Sequence, residues 1–351
     1  MNDEIVTAIG TPNVALVKYW GKRDFKLNLP TNSSISITLD ESLNTKTSVI
    51  FTEKLKEDAM YINGERTDLN DISNEKSRFT RDIINYMRDL SETKARALIV
   101  SKNSFPTASG LASSASGAAT LSYAVSNALG LSLSARELSI IARKISGSAC
   151  RGVIGGFVVW RKGEKADGSD SFSEAIADEK YWPDVIDVIT LVSSAQKKVS
   201  SSEGHRMTPA TSELYESRPK SAEGRVKRLE KAILQKDFNT LAEITMKDSN
   251  SLHAAMLDTY PPIIYMNDTS REIMYAIHAL NENEGGIIAA YTLDAGPNPQ
   301  IITLKEHKNK VIDAVKGIVG RDKILVAGQG SGPRTLSAAE SLIDETNMVP
   351  K

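Results

Sequence analysis

The chain has 351 residues, enough for two domains, because single hydrophobic cores stop growing near roughly 250–300 residues. Its 43 basic and 44 acidic side chains nearly cancel, which excludes a global field that would draw it to nucleic acid or an anionic membrane. Cys150 is the only cysteine, which excludes an intrachain disulfide and fits a reducing cytoplasm. No run approaches the ~18 apolar residues of a membrane span. We therefore expect a cytoplasmic protein without nucleic-acid or membrane partners.

The first half of the chain combines strand and helix patterns. Apolar and polar residues alternate at 34–39, which is typical of a strand. Ser134 and Glu137 have the spacing of a capping box, so a helix is expected to begin there. The other expected elements are a β-rich segment at 5–62, a helix at 78–87, a strand at 97–101 and a small-residue helix at 111–129.

The second half alternates strands with amphipathic helices. Two helices are indicated by apolar stripes through Val226 and Leu229 and through Ile273 and Ile277, the latter capped by Thr269 with Glu272. The expected strands are 188–192, 287–293, 300–304 and 323–327. A boundary near 183–188 predicts domains 1–186 and 187–351. The mixed order of elements predicts the α+β class.

Residues 13–24 form the first segment with a chemical signature. An apolar strand pattern ends in Lys18-Tyr19-Trp20-Gly21-Lys22-Arg23-Asp24, which concentrates cations and two aromatic rings in one short stretch. Cations at the end of a strand suit an anionic small molecule better than a packed core. The pattern therefore predicts a binding site, although it does not name the ligand.

Residues 106–117 join a strand to a helix through small side chains. Small residues let backbone amides approach a phosphate, and a helix N-terminus offers unpaired donors and a positive dipole end. The alternative is a small-residue helix packed tightly against a sheet. A Gly-Lys-Ser/Thr ending is absent, which excludes an ordinary Walker loop.

Three further features each allow a structural and a functional interpretation. Arg151, in a Ser-Gly-Ser-Ala-Cys-Arg-Gly turn, suits a carboxylate or phosphate, or else a surface salt bridge. Asp294 follows an apolar strand, where it either caps the turn or lies beside a substrate hydroxyl. Cys150 is expected to be a small buried residue rather than a nucleophile. The four histidines lack metal-ligand spacing and are expected to be structural or solvated, His205 among them.

Taken together, these segments resemble the diphosphomevalonate decarboxylases of the GHMP kinase superfamily. The resemblance extends through residues 18–24, 27–34, 105–114, 146–151, 265–270 and 294–298. It implies a two-domain GHMP kinase fold, in which an N-terminal domain with a left-handed βαβ crossover is followed by a ferredoxin-like domain. It also implies a homodimer that acts on a phosphorylated mevalonate, with ATP and Mg²⁺ as cofactors and no metal ligated by a dedicated protein site.

The resemblance also implies residue roles. The catalytic residues implied are Asp294, Lys18, Arg151 and Asn13. The substrate-binding residues implied are Tyr19, Lys22, Ser146, Ser148, Arg206 and Ala295. The ATP-binding residues implied are Ser109, Gly110, Leu111, Ala112, Ser113 and Ser114. Ser109 and Ser116 depart from the alanines of many relatives, which leaves the details of the nucleotide pocket open.

Three activities remain open from the sequence. The first is ATP-dependent decarboxylation of mevalonate 5-diphosphate. The second is decarboxylation of mevalonate 3,5-bisphosphate, for which neither ATP nor Mg²⁺ would be needed. The third is phosphorylation of a small molecule without decarboxylation. A non-catalytic nucleotide-binding protein is disfavoured, because a degenerate site has no need of Lys18, Arg151 and Asp294 together.

Overall fold

The computed structural model describes residues 4–71, 73–105, 113–193 and 197–351, apart from the side chains of Lys76 and Ser113. The strands in these ranges are β1 (Val6–Gly10), β2 (Asn13–Val17), β3 (Lys22–Asp24), β4 (Leu29–Pro30), β5 (Ser34–Thr38), β6 (Thr45–Thr52), β7 (Ala59–Ile62), β8 (Glu65–Thr67), β9 (Arg96–Asn103), β10 (Phe157–Trp160), β11 (Ser173–Ala177), β12 (Val185–Thr190), β13 (Ala289–Thr292), β14 (Gln300–Leu304), β15 (Ile324–Ala327), β16 (Arg334–Thr335), β17 (Ile343–Asp344) and β18 (Val349–Pro350). The α-helices are α1 (Glu75–Leu90), α2 (Ser113–Ala128), α3 (Ala135–Ile145), α4 (Ser201–Thr211), α5 (Arg218–Gln235), α6 (Phe238–Leu257), α7 (Asp268–Asn283) and α8 (Lys308–Val319). Short 3-10 helices occupy Gly147–Arg151, Glu213–Tyr215, Lys305–His307, Arg321–Lys323 and Ala338–Glu340.

Two sheets form the first half of the molecule. The larger has the spatial order β16-β1-β6-β9-β7-β8, and the smaller has the order β11-β10-β5-β2. All neighbouring pairs in both sheets are antiparallel except β7 and β9, which run parallel and are joined by a crossover through α1. Helix α2 packs against β1 and β6, so its N-terminal end and the end of β2 lie in the same half.

A third sheet, with the order β13-β14-β12-β15, forms the second half. Helices α7 and α8 cover one face, where Ile273 and Val315 share a core with Val188. Helices α5 and α6 cover the other face and also pack against β2 and β5 of the first half, so that Val226 shares a core with Val17. This shared packing brings the ends of β2 and β13 together. Within the described ranges, no helix combines the length and apolar character needed to cross a bilayer.

Two helix N-caps were predicted from the sequence, and the structure contains one of them. Ser134 caps α3 in a complete capping box, as predicted. The cap predicted for α7 is wrong: Asn267, rather than Thr269, accepts a hydrogen bond from the backbone N–H of Ser270 at 2.9 Å. Asparagine is a strong N-cap residue, and its use starts the helix earlier than the Thr269–Glu272 pair would. The α+β class is confirmed by the three larger sheets and their covering helices.

One buried carboxyl group lies in the centre of the third sheet. Asp187 in β12 is 1% exposed, and neither side-chain oxygen makes a hydrogen bond of ordinary geometry within the described residues. Burial raises the pKa of this carboxyl well above its ordinary value, and the opposing effects of the Ile301 backbone and the Lys18 charge do not reverse the rise. Asp187 therefore adopts its neutral form more readily than an exposed aspartate.

Candidate active site

A cavity of about 640 Å³ opens where the end of β2, the 3-10 helix Gly147–Arg151 and the loop after β13 converge. The predicted site residues that line it are Asn13, Lys18, Tyr19, Lys22, Ser114, Ser146, Ser148, Arg151, Asp294 and Ala295. Asn13 and Ala295 are 282 positions apart in the chain, yet both line the same cavity. The cavity therefore joins the two halves of the molecule.

An ion pair in the cavity links the first half of the molecule to the second. Lys18 Nζ donates a hydrogen bond to Asp294 Oδ1 at 2.5 Å; the lysine side chain is 2% exposed and the aspartate 26% exposed. The carboxylate supplies the countercharge that a buried ammonium requires. Because a quarter of the aspartate side chain remains accessible, it can also contact a ligand. This arrangement favours the functional interpretation of Asp294 over a turn-capping one.

A buried carboxylate fixes the backbone of Lys18. Asp248, on α6 and fully buried, accepts a hydrogen bond from the Lys18 backbone N–H at 2.7 Å. Arg218 and Arg225 donate to the same carboxylate at 3.1 and 3.0 Å. Charge-assisted bonds of this kind are stronger and shorter than neutral ones. The sequence analysis missed Asp248, whose only local signal is an acid on the buried face of a helix.

Arg151 lies in the cavity wall among neutral groups. Its guanidinium donates to Ser34 Oγ at 2.6 Å, to Ser36 Oγ at 3.0 Å and to Asn13 Oδ1 at 3.3 Å. The side chain is buried, which lowers its pKa from the ordinary value, but an arginine remains protonated at any physiological pH. Asn13 Nδ2 is buried and has no partner within the described residues. Within the described residues, Arg151 has no hydrogen-bonded acid and Asn13 Nδ2 has no acceptor, and this combination suits an anionic ligand.

Tyr19 and Trp20 form the aromatic part of the wall. The Tyr19 ring stacks on His205 at 4.4 Å between centroids, and the Trp20 ring lies 4.3 Å from the same imidazole. Glycines permit this packing: a Cβ at Gly147 would lie 2.9 Å from the Tyr19 ring, and one at Gly204 would lie 2.6 Å from the Trp20 ring. Burial raises the pKa of Tyr19 well above its ordinary value, so its hydroxyl is a neutral donor.

Lys22 contributes another positive charge to the lining of the cavity. Its Nζ donates to Asn28 Oδ1 at 2.6 Å, and burial lowers its pKa to about 8, an effect that Glu75 partly opposes. Arg206, predicted to bind substrate, donates instead to Glu75 at 2.8 Å; it is half exposed and does not line the cavity. Glu75 was missed by the sequence analysis. Glu75 is the first residue of α1, where the helix dipole favours a carboxylate. The sequence therefore offered a structural explanation for this acid.

The remaining end of the cavity is largely apolar. Met60, Ile62, Phe79 and Leu121 line it, together with the polar residues Thr80, Ser101 and Asn103 from α1 and β9. Apolar walls with few polar groups are typical of pockets that accept a flat organic ring. This end was not identified from the sequence, because its residues belong to four separate elements and each has an ordinary core pattern.

The predicted phosphate loop leads into α2 and lies mostly outside the described residues. Ser109, Gly110, Leu111 and Ala112 lie outside the described residues. The backbone of Ser113 begins α2, and Ser114 in the first turn of that helix lines the cavity. A helix N-terminus at a cavity is suited to an anion. Cys150 is fully buried, as predicted, and burial raises its pKa to about 11, which disfavours the thiolate.

No group of three histidine, cysteine or acidic side chains could hold a metal ion within the part of the chain that the structure describes. A Mg²⁺ ion commonly retains waters and binds through substrate phosphates with one or two protein oxygens. The donors present therefore fit a magnesium ion that arrives with a nucleotide better than a resident metal.

The fold and the site together define an enzyme for a small molecule with several negative charges. Four cationic side chains, those of Lys18, Lys22, Arg151 and Lys197, line one cavity at the junction of two α+β units. An acid paired with Lys18, an apolar slot and the N-terminus of α2 line the same cavity. Such convergence of charged groups in a partly apolar pocket is typical of an active site.

Comparisons with known proteins identify the family. Residues 10–173 match the family model described as "Diphosphomevalonate decarboxylase-like N-terminal domain", and residues 187–348 match "Mevalonate 5-diphosphate decarboxylase C-terminal domain". The diphosphomevalonate decarboxylase of Saccharomyces cerevisiae is 45% identical over 88% of this chain and 80% of the yeast protein. That of Schizosaccharomyces pombe is 38% identical over 95% of this chain and 94% of its own length. The chain belongs to the diphosphomevalonate decarboxylase family.

Solved structures agree. A crystal structure of mevalonate 5-diphosphate decarboxylase superposes with a TM-score of 0.88 at 38% identity and covers 98% of this chain and 100% of its own. The Trypanosoma brucei enzyme gives a TM-score of 0.88 at 33% identity, with coverage of 97% and 100%. A third structure, "MDDEF in complex with MVAPP, AMPPCP and Magnesium", gives 0.85 at 33% identity, with coverage of 95% and 99%. The predicted two-domain GHMP-type α+β fold is confirmed.

Proposed function

We propose that this chain catalyses the ATP-dependent decarboxylation of mevalonate 5-diphosphate to isopentenyl diphosphate, with release of carbon dioxide, ADP and phosphate. The observation that carries the proposal is the Lys18–Asp294 pair, which links the two halves of the molecule inside a cavity that also contains Arg151. Family membership and the relative bound to MVAPP, AMPPCP and magnesium support the same reaction. In this reaction ATP is consumed, and its Mg²⁺ arrives with the nucleotide phosphates.

The chemistry explains the need for an acid beside a lysine. A tertiary hydroxyl is a poor leaving group, so the γ-phosphoryl group of ATP is first transferred to it. When that phosphate leaves with its bonding electrons, the electron pair of the bond between the carboxylate and the adjacent carbon forms the alkene, and carbon dioxide is released. Asp294 orients or deprotonates the hydroxyl, and its charge stabilises positive character as phosphate leaves.

The cations divide the substrate between them. Arg151, whose hydrogen bonds within the described residues go to neutral side chains, binds the substrate carboxylate with Asn13 beside it. Lys18 neutralises charge on the transferred phosphoryl group. Lys22 binds the remote diphosphate, with Arg206 at the rim of the cavity. Binding energy at that remote group serves to position the reacting atoms.

The other predicted residues complete this proposal. Tyr19 supplies a neutral hydroxyl whose oxygen is buried without a partner in the described part of the chain. The remaining substrate contacts that we propose are Ser146, Ser148 and Ala295. The ATP phosphates are assigned to Ser109, Gly110, Leu111, Ala112, Ser113 and Ser114. The apolar slot at Met60 and Phe79 is the place for the adenine ring.

Product analysis tests the function directly. The protein is incubated with mevalonate 5-diphosphate or mevalonate 3,5-bisphosphate, each with and without ATP and Mg²⁺, and carbon dioxide, ADP and the organic product are measured. The proposal expects carbon dioxide only from the 5-diphosphate and only with ATP. Turnover of the 3,5-bisphosphate without ATP would move the assignment to that decarboxylation. A stable phosphorylated product without carbon dioxide would indicate a kinase.

We also propose a division into domains 1–186 and 187–351, a cytoplasmic location and a homodimer. The first is supported by the sheet β13-β14-β12-β15, whose strands all lie within residues 185–327, whereas β16 (Arg334–Thr335) returns to pair with β1 in the first half. The second is supported by a single buried cysteine and the third by the family resemblance. Sedimentation equilibrium at micromolar concentration and fractionation of source cells test the last two. A monomer or a membrane-bound pool would contradict them.

A further inference from the structure

His205, on α4, is fixed in one orientation by a backbone group. Its Nδ1 atom accepts a hydrogen bond from the Gly21 N–H at 2.8 Å. A nitrogen that accepts cannot carry a proton, so the neutral ring holds its hydrogen on Nε2. Gly21 can present its N–H in this way because its φ is +83°, a conformation open to glycine.

Packing holds the ring in the cavity wall. The imidazole lies between Tyr19 and Trp20, with ring centroids 4.4 and 4.3 Å away, and the absence of a side chain at Gly204 lets Trp20 approach. His205 lines the same cavity as Lys18 and Asp294. Within the described residues, Nε2 has no hydrogen-bond partner, and it is not among the fully buried atoms that lack one. The Nε2–H is therefore a fixed donor that remains free for a ligand.

The surroundings of the ring are positive. Burial lowers the pKa of His205 well below its ordinary value, and the charges of Lys22 and Arg206 act in the same direction. The ring is consequently neutral at physiological pH. A neutral donor beside two cations adds directional hydrogen bonding for an anion without adding a third charge to a crowded site.

We infer that His205 binds the substrate diphosphate by donating its Nε2–H to a phosphate oxygen, while the Gly21 amide holds Nδ1. This inference rests on the proposed function, since it concerns the substrate end of the same cavity. It assigns to α4 a direct role in substrate recognition. The competing explanation is a purely structural ring that only holds Gly21 and the aromatic side chains in place.

Two amide variants separate these explanations. His205→Asn places its amide oxygen near the position of Nδ1 but has no group at Nε2, whereas His205→Gln reaches the position of Nε2 with an amide donor. We expect His205→Asn to raise the KM for mevalonate 5-diphosphate by about tenfold or more, with kcat and the KM for ATP changed less than about twofold. His205→Gln should retain a KM within about threefold of the natural enzyme. A substrate KM within twofold in His205→Asn overturns the inference.

A spectroscopic measurement requires no variant at position 205. The chain has four histidines, so ring ¹⁵N signals of histidine-labelled natural protein can be assigned through variants of the other three, His253, His278 and His307. Inorganic pyrophosphate serves as the probe. We expect a protonated Nε2 signal for His205 that shifts on saturation with pyrophosphate, while the Nδ1 signal keeps its acceptor position. An unchanged Nε2 signal at saturation refutes the inference. Absence of carbon dioxide release by the natural protein would instead count against the proposed function.

Discussion

Replacing Asp294 with asparagine keeps the size of the side chain and removes its charge. Positioned general acid–base catalysis contributes roughly 10²–10⁴ in rate, which corresponds to about 2.7–5.5 kcal/mol of activation free energy. Lys18 Nζ lies 2.5 Å from the carboxylate and is almost completely buried, so the substitution also leaves an ammonium without its countercharge at the reacting centre. We therefore expect kcat to fall by at least about 10³-fold.

The same substitution has a smaller effect on stability. Breaking a fully buried ion pair costs about 3–5 kcal/mol, because one charge remains buried and unpaired. Asp294 is 26% exposed, so water reaches this pair, and we expect a loss of about 1–2 kcal/mol in the free energy of unfolding. At about 2–4 °C per kcal/mol, the melting temperature should fall by only a few degrees. The variant therefore remains folded at the temperature of the assay.

Carbon dioxide release at saturating substrate measures kcat, and binding of a non-hydrolysable ATP analogue reports on the nucleotide site. Asp268→Asn is the matched control, since it makes the same chemical change at a side chain that is 96% exposed on α7. The control should retain full activity. A kcat for Asp294→Asn within tenfold of the natural enzyme, in protein that binds the analogue normally, would refute the catalytic role.

Three further predictions, tested with four substitutions, concern other parts of the site and the third sheet. Burial lowers the pKa of Lys22 to about 8, so the free enzyme loses this positive charge as the pH rises through that value. We therefore expect kcat/KM to fall above about pH 8. The Lys22→Arg variant, whose guanidinium stays charged, should show a smaller fall in the same pH profile. Gly204→Ala places a Cβ within 2.6 Å of the Trp20 ring and should raise the substrate KM severalfold. Gly224→Ala is its control, because a Cβ there meets no atom within 4 Å; it should stabilise α5 by about 0.5–1 kcal/mol without changing KM. Asp187 has a raised pKa in the folded state, so the folded state binds more protons and its stability falls as pH rises above about 4. Denaturant unfolding should therefore show Asp187→Asn to be the more stable protein at pH 8, with the difference closing toward pH 4; parallel pH profiles would contradict this.

The alternation of polar and apolar residues at 34–39 shows what a local pattern can and cannot predict. It predicted the strand β5 (Ser34–Thr38) because the period of two is a property of the backbone itself. It also implies one solvated face, yet all five residues are buried. The polar face is occupied by Arg151, to which Ser34 and Ser36 bind. The sequence could not reveal this, because the arginine is more than a hundred positions away.

The site shows the same limit. Lys18 and Asp294 are 276 positions apart, and local sequence allowed both a turn-capping role and a substrate contact for the acid. Only the family resemblance joined them before the structure did. For Arg206 the resemblance implied a substrate contact, whereas the side chain pairs with Glu75 in the structure. His205 was expected to be structural or solvated because the four histidines lack metal-ligand spacing. Its hydrogen-bond partner is the backbone N–H of Gly21, which a pattern of side chains does not predict.

The partners of the cations explain how one cavity can distinguish the two ends of its substrate. Lys18 is bonded to Asp294, so its charge is already balanced before any ligand binds. Arg151 and Lys22 bond to neutral oxygens of serine and asparagine, and their charges remain available to an anion. An anionic molecule is thus drawn to two separate points, while the balanced pair lies near the reacting centre. In the proposed reaction, Lys18 gains a second negative partner only when the phosphoryl group arrives, so its stabilisation increases with the charge that develops. This is the condition for lowering the barrier rather than merely binding the substrate.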